Sequence, residues 1–381
     1  MISKSFLSSL IDLRKDLHRH PELSDHETGT ALRIKKAVSP FKPDKIVENI
    51  GGNGLALIFK GAHPGPAVMF RCELDALPID EINNFFHRSE IYGTSHKCGH
   101  DGHMAILVGM AQLLQQTPPF RGRVILLFQP AEETGQGAIR VLNDPKFKKL
   151  EPDYIFALHN LPGYPKNTLL IKDGVFASAS TGLKSHLSGK TSHAAEPEKG
   201  LNPALVMANI IKDLEKYMLP GNDHNKIKIV TPIYARLGEK AFGTSPGFAE
   251  MMFTIRATMA DDFEDIKRFV LETIRKNAEL KNIKLENKWV EEFPNTVNDP
   301  ECNKIVIRAA QESNLTLLNL ESPFRWSEDF GHFLANYPGA LFGLGSGTGQ
   351  PALHNPDYDF PDDILETGIK IFYNIYKIIQ N

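Results

Sequence analysis

Apolar positions recur at helical spacing over residues 5–19 and 27–38, and the Pro21-Glu22-Leu23-Ser24 break between them separates two surface helices. Short continuous apolar runs follow at Ala67-Val68-Met69-Phe70, Val124-Ile125-Leu126-Leu127-Phe128, Tyr154-Ile155-Phe156-Ala157-Leu158 and Ala340-Leu341-Phe342-Gly343-Leu344. Runs of this kind suit strands covered on both faces. Helical patterns lie between them, notably over 101–116 and 136–143. The alternation predicts an α/β domain with a mostly parallel central sheet and helices on both faces. From about residue 180 the rhythm changes: strand-like 181–188, 226–235, 249–259 and 283–290 alternate with helical 201–217 and 262–279. The order βαββαβ is that of a ferredoxin-like α+β sandwich. The expectation is therefore an α/β domain over 1–178 and 293–381, closed by an amphipathic helix at 362–379, with a ferredoxin-like domain inserted at 179–292.

Composition narrows the function classes. The 381 residues carry 43 Lys+Arg against 46 Asp+Glu, a net charge of −3, with no block of like charges to bind phosphate backbones or anionic lipid. Nucleic acid and membrane are not expected partners. The first ten residues lack the apolar stretch of a signal peptide, and no run reaches the roughly 18 apolar residues of a membrane span. The three cysteines, Cys72, Cys98 and Cys302, form no CxxC pair. A reduced, cytoplasmic protein without a disulfide framework is expected.

Chemistry concentrates where the first domain's strands end. After Phe70 come Cys72, Glu73 and Asp75; after Phe128 come Glu132 and Glu133; after Leu158 comes His159. Ser95-His96-Lys97-Cys98-Gly99-His100-Asp101-Gly102-His103 precedes an apolar helix, and Leu353-His354-Asn355-Pro356 follows the last core strand. Ligand sites of open α/β sheets lie at the carboxyl ends of strands. Thiolate, imidazole and carboxylate together suit a borderline divalent ion such as zinc, manganese or cobalt. Cys98, His100, Glu133, His159 and His354 are too many ligands for one tetrahedral ion that keeps a water, so two ions are expected.

The strings Leu17-His18-Arg19-His20-Pro21-Glu22-Leu23-Ser24, Cys98-Gly99-His100-Asp101-Gly102-His103, Gln129-Pro130-Ala131-Glu132-Glu133, Gly189-Lys190-Thr191-Ser192-His193-Ala194-Ala195 and Glu328-Asp329-Phe330 resemble the aminoacylase and carboxypeptidase superfamily, peptidase family M20. They look most like its amidohydrolase branch of hippurate hydrolases, N-acetyldiaminopimelate deacetylases and auxin-conjugate hydrolases. The resemblance implies metal ligation by Cys98, His100, Glu133, His159 and His354, with Glu132 as general base. A carboxylate already on a metal is a poor proton acceptor, whereas its neighbour can reach the activated water. The resemblance further implies that His193 supplies an oxyanion donor, from the partner subunit of a homodimer formed by the inserted domain. Arg256 matches a position that binds the substrate carboxylate, and Asp75 one whose carboxylate orients a ligating imidazole. Two departures stand out. Glu73 replaces the usual aspartate, leaving its contact with the site open, and Ala241-Phe242-Gly243-Thr244-Ser245-Pro246 replaces an Asn-containing lid segment.

The glycine-rich Gly343-Leu344-Gly345-Ser346-Gly347-Thr348-Gly349 fits neither a dinucleotide fingerprint, which needs glycine where Thr348 stands, nor a serine-hydrolase elbow, which needs glycine at Leu344. The expected activity is metal-dependent removal of an acetyl or aromatic acyl group from a small N-acyl amino acid. A metallo-exopeptidase or dipeptidase is the alternative. A non-catalytic metal-site binding protein would have no chemical need for Glu132.

Overall fold

The structure is a computed structural model that describes residues 2–221, 223 and 225–380; Met1, Asn222, His224 and Asn381, which fall within the expected domain ranges, lie outside the described residues. Two compact units divide the chain: one runs to Phe176 and resumes over Thr296–Glu321 and from Asp329, the other comprises Ala177–Asn295 and Ser322–Glu328. In the first, helices α1 (Lys4–Arg19) and α2 (Thr28–Val38) precede strands β1 (Lys45–Ile50), β2 (Gly54–Lys60) and β3 (His63–Glu73). Then come α3 (His100–Gln116), β4 (Arg121–Gln129), α4 (Gly137–Asn143), α5 (Pro145–Lys148), β5 (Tyr154–Pro162), β6 (Leu169–Ile171) and β7 (Gly174–Ala177). The second unit holds β8 (Ala179–Ser188), β9 (Ser192–His193), α6 (Ala204–Leu214), β10 (Lys228–Leu237), β11 (Thr244–Ser245), β12 (Phe248–Ala257), α7 (Ala260–Glu279) and β13 (Lys284–Phe293). The chain returns through β14 (Thr296–Asn298), α8 (Pro300–Glu312), β15 (Leu317–Asn319), α9 (Gly331–Leu334), β16 (Gly339–Gly347) and α10 (Leu365–Gln380).

The main sheet has eight strands in the order β1-β2-β4-β3-β5-β16-β6-β15. Its centre, β4, β3, β5 and β16, is parallel, while β1 and β2 form an antiparallel margin. Val68, Phe70 and Cys72 join α1, α3, α8 and α10 in one apolar cluster, and the intervening Met69 and Arg71 are also fully buried. Burial on both faces explains why these strands read as continuous apolar runs.

In the second unit four antiparallel strands lie in the order β10-β12-β8-β13, the ferredoxin-like arrangement. Leu183, Leu187, Met251 and Phe253 of the sheet pack with Ile210 and Leu214 of α6 and Ile266, Val270 and Ile274 of α7. The β9–β11 ribbon, absent from the periodicity, is an addition. The sequence expectation also places Ser322–Glu328 in the α/β domain, whereas it groups with the second unit. Its main-chain carbonyls explain why: Ser178 donates N–H to Phe324 and Trp326, and Arg256 donates to Arg325. No described helix is long and apolar enough to cross a membrane.

Candidate metal centre

Because β3, β4, β5 and β16 are parallel, their carboxyl ends share one sheet edge, where an open α/β sheet binds its ligands. Beyond β3, Asp75 is fully buried. Its Oδ2 accepts the Ser24 hydroxyl at 2.7 Å and the Glu133 N–H at 3.0 Å, and its main-chain carbonyl accepts the His100 Nδ1 proton at 2.9 Å. Two oxygens of Asp75 thus face the His100 ring: the carbonyl takes the Nδ1 proton, and carboxylate Oδ1 stands 3.7 Å from the same nitrogen, while Oδ2 holds Ser24 and Glu133.

α3 begins at His100, capped by Gly99 in the left-handed region at φ 90°. A Cβ on Gly99 would lie 2.5 Å from Asn160 Oδ1, so only glycine fits between the two expected ligands Cys98 and His100. On β5, opposite Gly343 of β16, His159 donates Nδ1–H to the Asn160 carbonyl at 2.9 Å. That leaves Nε2 facing Cys98 Sγ at 3.4 Å. Past β16, His354 adopts φ 65° and brings Nε2 within 3.8 Å of Glu133 Oε2.

His100 Nε2 is buried, makes no hydrogen bond, and lies 3.8 Å from both Glu132 Oε2 and Glu133 Oε1. Three sets of donor atoms, each within 4.8 Å of one another, overlap: Cys98, His100 and His159; Cys98, Glu133 and His354; His100, Glu132 and Glu133. All five expected ligands and the expected base are thus in one place. The sharing of Cys98 suits two neighbouring ions, and Glu133 reaches both His100 and His354 whereas Glu132 reaches only His100 among these pairs. An orphaned buried imidazole nitrogen in a thiol, imidazole and carboxylate set fits divalent metal well.

The electrostatics agree. Burial opposes protonation of His100, yet the carboxylates of Glu73, Asp75 and Glu133 outweigh it and raise the group to about 10. A field that holds a proton on a buried imidazole is one that attracts a metal cation in its stead. Burial and the neighbouring His103 push His159 down to about 3, keeping its nitrogen lone pair available. Burial also lifts the Cys72 thiol well above its ordinary range, which disfavours it as a thiolate ligand.

Glu73 does meet the site. It accepts His103 Nδ1–H at 2.7 Å and pairs with Arg71, while His103 Nε2 accepts the Asn160 N–H at 3.2 Å. Glu73 therefore steadies the strand end that carries His159. Sequence reasoning gave Arg71 and Asp329 no role. Arg71 bonds Gln129 at 2.8 Å and Asp329 at 2.7 Å, and Asp329 also takes Gln129 and the Ala138 N–H, locking the ends of β3 and β4 together. An arginine inside an apolar strand was the available signal, because a fully buried charge needs partners.

His193 and Arg256 belong to the second unit. His193 is exposed on the β9–β11 ribbon, opposite Thr244, and its Nδ1 accepts the Ala195 N–H at 3.1 Å. In the neutral ring the proton then sits on Nε2, pointing a donor outward. Arg256 donates to the Arg325 carbonyl at 3.1 Å and Ser327 Oγ at 3.0 Å, both neutral, and burial lowers its affinity for its proton. In the altered 241–246 segment, Gly243 accepts the Ala194 N–H at 3.0 Å, so the segment supports the His193 turn.

A parallel α/β sheet with a thiol, imidazole and carboxylate cluster at its carboxyl edge defines a metallohydrolase-type centre. Residues 69–377 match the model of peptidase family M20/M25/M40, and the chain belongs to that family. It is 28% identical over 381 residues to the N-acetylcysteine deacetylase of Bacillus subtilis, covering 100% of this chain and 99% of the relative. The N-acetyldiaminopimelate deacetylase of the same organism is 27% identical over 377 residues, covering 98% and 100%. A solved structure described as a dinuclear metal binding peptidase of the M20 family, also from Bacillus subtilis, superposes with a TM-score of 0.83 at 27% identity, covering 99% of each chain.

Proposed function

We propose that the protein is a metal-dependent amidohydrolase that removes an N-acyl group, acetyl or aromatic acyl, from an amino acid or close analogue. The observation that carries this reading is the convergence of Cys98, His100, Glu133, His159 and His354 beside an additional carboxylate, Glu132. Those five residues would hold two divalent ions of the manganese, zinc or cobalt type, as the dinuclear centre of the solved relative supports. When bound, such ions supply Lewis-acid activation of water and of the amide carbonyl. Glu132 accepts the proton of the attacking water at its carboxylate and returns it to the leaving nitrogen as the C–N bond breaks. The products are a carboxylic acid and a free amine. Asp75 acts through His100 and Glu133, which it holds in place.

Arg256, half-buried with only neutral acceptors, is suited to the substrate carboxylate. His193 would donate Nε2–H to the carbonyl oxygen as negative charge develops there. Acting from a partner subunit, it would require a homodimer through the second unit, whose edge strand β10 exposes Ile233 and Tyr234. Both deacetylases of Bacillus subtilis are named for N-acetyl substrates, which supports an N-acyl amino acid over a dipeptide. A cytoplasmic location suits a centre that needs Cys98 reduced, and no disulfide joins Cys72, Cys98 and Cys302.

The test is amine release from N-acetyl amino acids by the wild type and by Glu132→Gln. Loss of a general base costs about 10²- to 10⁴-fold in kcat, with ion content unchanged. Full activity in the variant would remove Glu132 from the mechanism.

A further inference from the structure

Residues 354–357 form an exposed turn, so the core does not hold His354 in place. Its backbone is also in the left-handed region at φ 65°, a conformation that is strained for a non-glycine residue and kept only where the surroundings impose it. The contacts that impose it converge on Lys97, the residue before Cys98. The Lys97 carbonyl accepts the His354 N–H at 2.9 Å, and its ammonium, fully buried, donates to the Tyr358 carbonyl at 2.8 Å. One residue thus grips both ends of the turn. The same ammonium donates to Glu81 Oε1 at 2.5 Å, and the two residues after Glu81 hold the middle: Ile82 N–H bonds the Pro356 carbonyl at 3.2 Å and Asn83 Nδ2 the Asp357 carbonyl at 3.1 Å.

We propose that Lys97 is a positioning residue that presets His354 for the ion held with Cys98 and Glu133, and thereby sets the affinity of one of the two metal positions. This rests on the dinuclear reading above. The other donor set shares Cys98, but its two imidazoles are anchored away from Lys97: His100 starts α3 with its ring on the Asp75 carbonyl, and His159 sits within β5 with its ring on the Asn160 carbonyl. Loss of the ammonium therefore acts on the two positions unequally. Outer partners of metal ligands are worth about 10- to 100-fold in affinity.

The experiment is calorimetric titration of metal-free protein with zinc alone, for the wild type and Lys97→Met, beside urea unfolding of both metal-free proteins. The expected result is two binding steps in each, with one step 10- to 100-fold weaker in the variant and the other unchanged. A purely structural role would lower the unfolding midpoint while leaving the separation of the two steps as it was, and that result overturns the proposal. So does equal weakening of both steps. Should Lys97→Met not fold, Glu81→Gln, which leaves Lys97 in place and discharges its partner, is expected to weaken one step alone, and an unchanged separation of the two steps counts against the proposal. Wild-type protein that binds no zinc takes down the dinuclear reading and this inference together; two-step binding in the wild type with an unaltered variant takes down this inference alone.

Discussion

Arg256 illustrates how a single residue's surroundings can indicate what it awaits. A guanidinium matches a carboxylate in a two-pronged hydrogen bond, yet here it is bonded to a carbonyl and a hydroxyl, with burial the only influence on its proton affinity. For N-acetyl amino acids, Arg256→Met should raise KM about 10- to 100-fold, the equivalent of a hydrogen bond to a charged group. The matching N-acetyl amino acid amides, which lack the carboxylate, should be turned over alike by both proteins. Equal losses on acids and amides would show that Arg256 serves the fold instead. At this scale the convergence of the proposed ligands was legible in the sequence, because cysteine, histidine and paired glutamates after apolar runs have few other reasons to coincide. Lys97 was not. Its partners Glu81 and Tyr358 lie 16 and 261 positions away, and nothing local to residue 97 announces that its side chain is buried. The share taken by the Asp75 carbonyl in holding His100 was not legible either, because a motif names the residue but not which of its oxygens takes the proton.

Between elements, α1, the 78–97 loop and the start of α3 are joined by buried charge. His18 of α1 bonds Asp101 at 2.8 Å and Glu81 at 3.1 Å, and Arg14 reaches Asp101, Asp359 and Asp362. Burial disfavours the charged imidazole of His18, but the Asp101 and Glu81 hydrogen bonds prevail and raise it from 6.5 to about 9. Burial likewise opposes ionisation of Glu81, and His18, Lys97 and the Ser89 N–H reverse this, lowering it from 4.5 to about 2. The signs follow by linkage. The His18 contribution is complete below 6.5 and is lost as pH rises through about 9, while that of Glu81 is complete above 4.5 and is lost as pH falls towards about 2. In metal-free protein, the stability lost on His18→Gln should therefore be greatest between pH 4.5 and 6.5 and shrink on both sides, as urea midpoints across pH would record. A deficit that grows towards pH 9 would contradict the pairing. The central strands could be read from their apolar runs, since parallel strands are covered on both faces. The β9–β11 ribbon could not, because two-residue strands carry no periodicity.

At the scale of the whole molecule, the chain interrupts an α/β sheet with a four-stranded α+β unit and then returns to complete the sheet with β16 and the His354 turn. The interruption was visible as a change of rhythm near residue 180, whereas the return of Ser322–Glu328 to the second unit was not, because it depends on main-chain hydrogen bonds to Ser178 and Arg256 rather than on an apolar pattern. The proposed ligands are spread from Cys98 to His354, so the cluster exists only once the sheet has closed. The central claim is that this closed centre hydrolyses N-acyl amino acids with the help of divalent metal. Its most direct test is amine release from matched N-acetyl amino acids, N-benzoyl amino acids and dipeptides by chelator-treated protein, before and after addition of manganese, cobalt or zinc. The account predicts no release without metal and restored release from the N-acyl amino acids but not the dipeptides. Undiminished activity in the chelated protein, or restored activity confined to dipeptides, would contradict it.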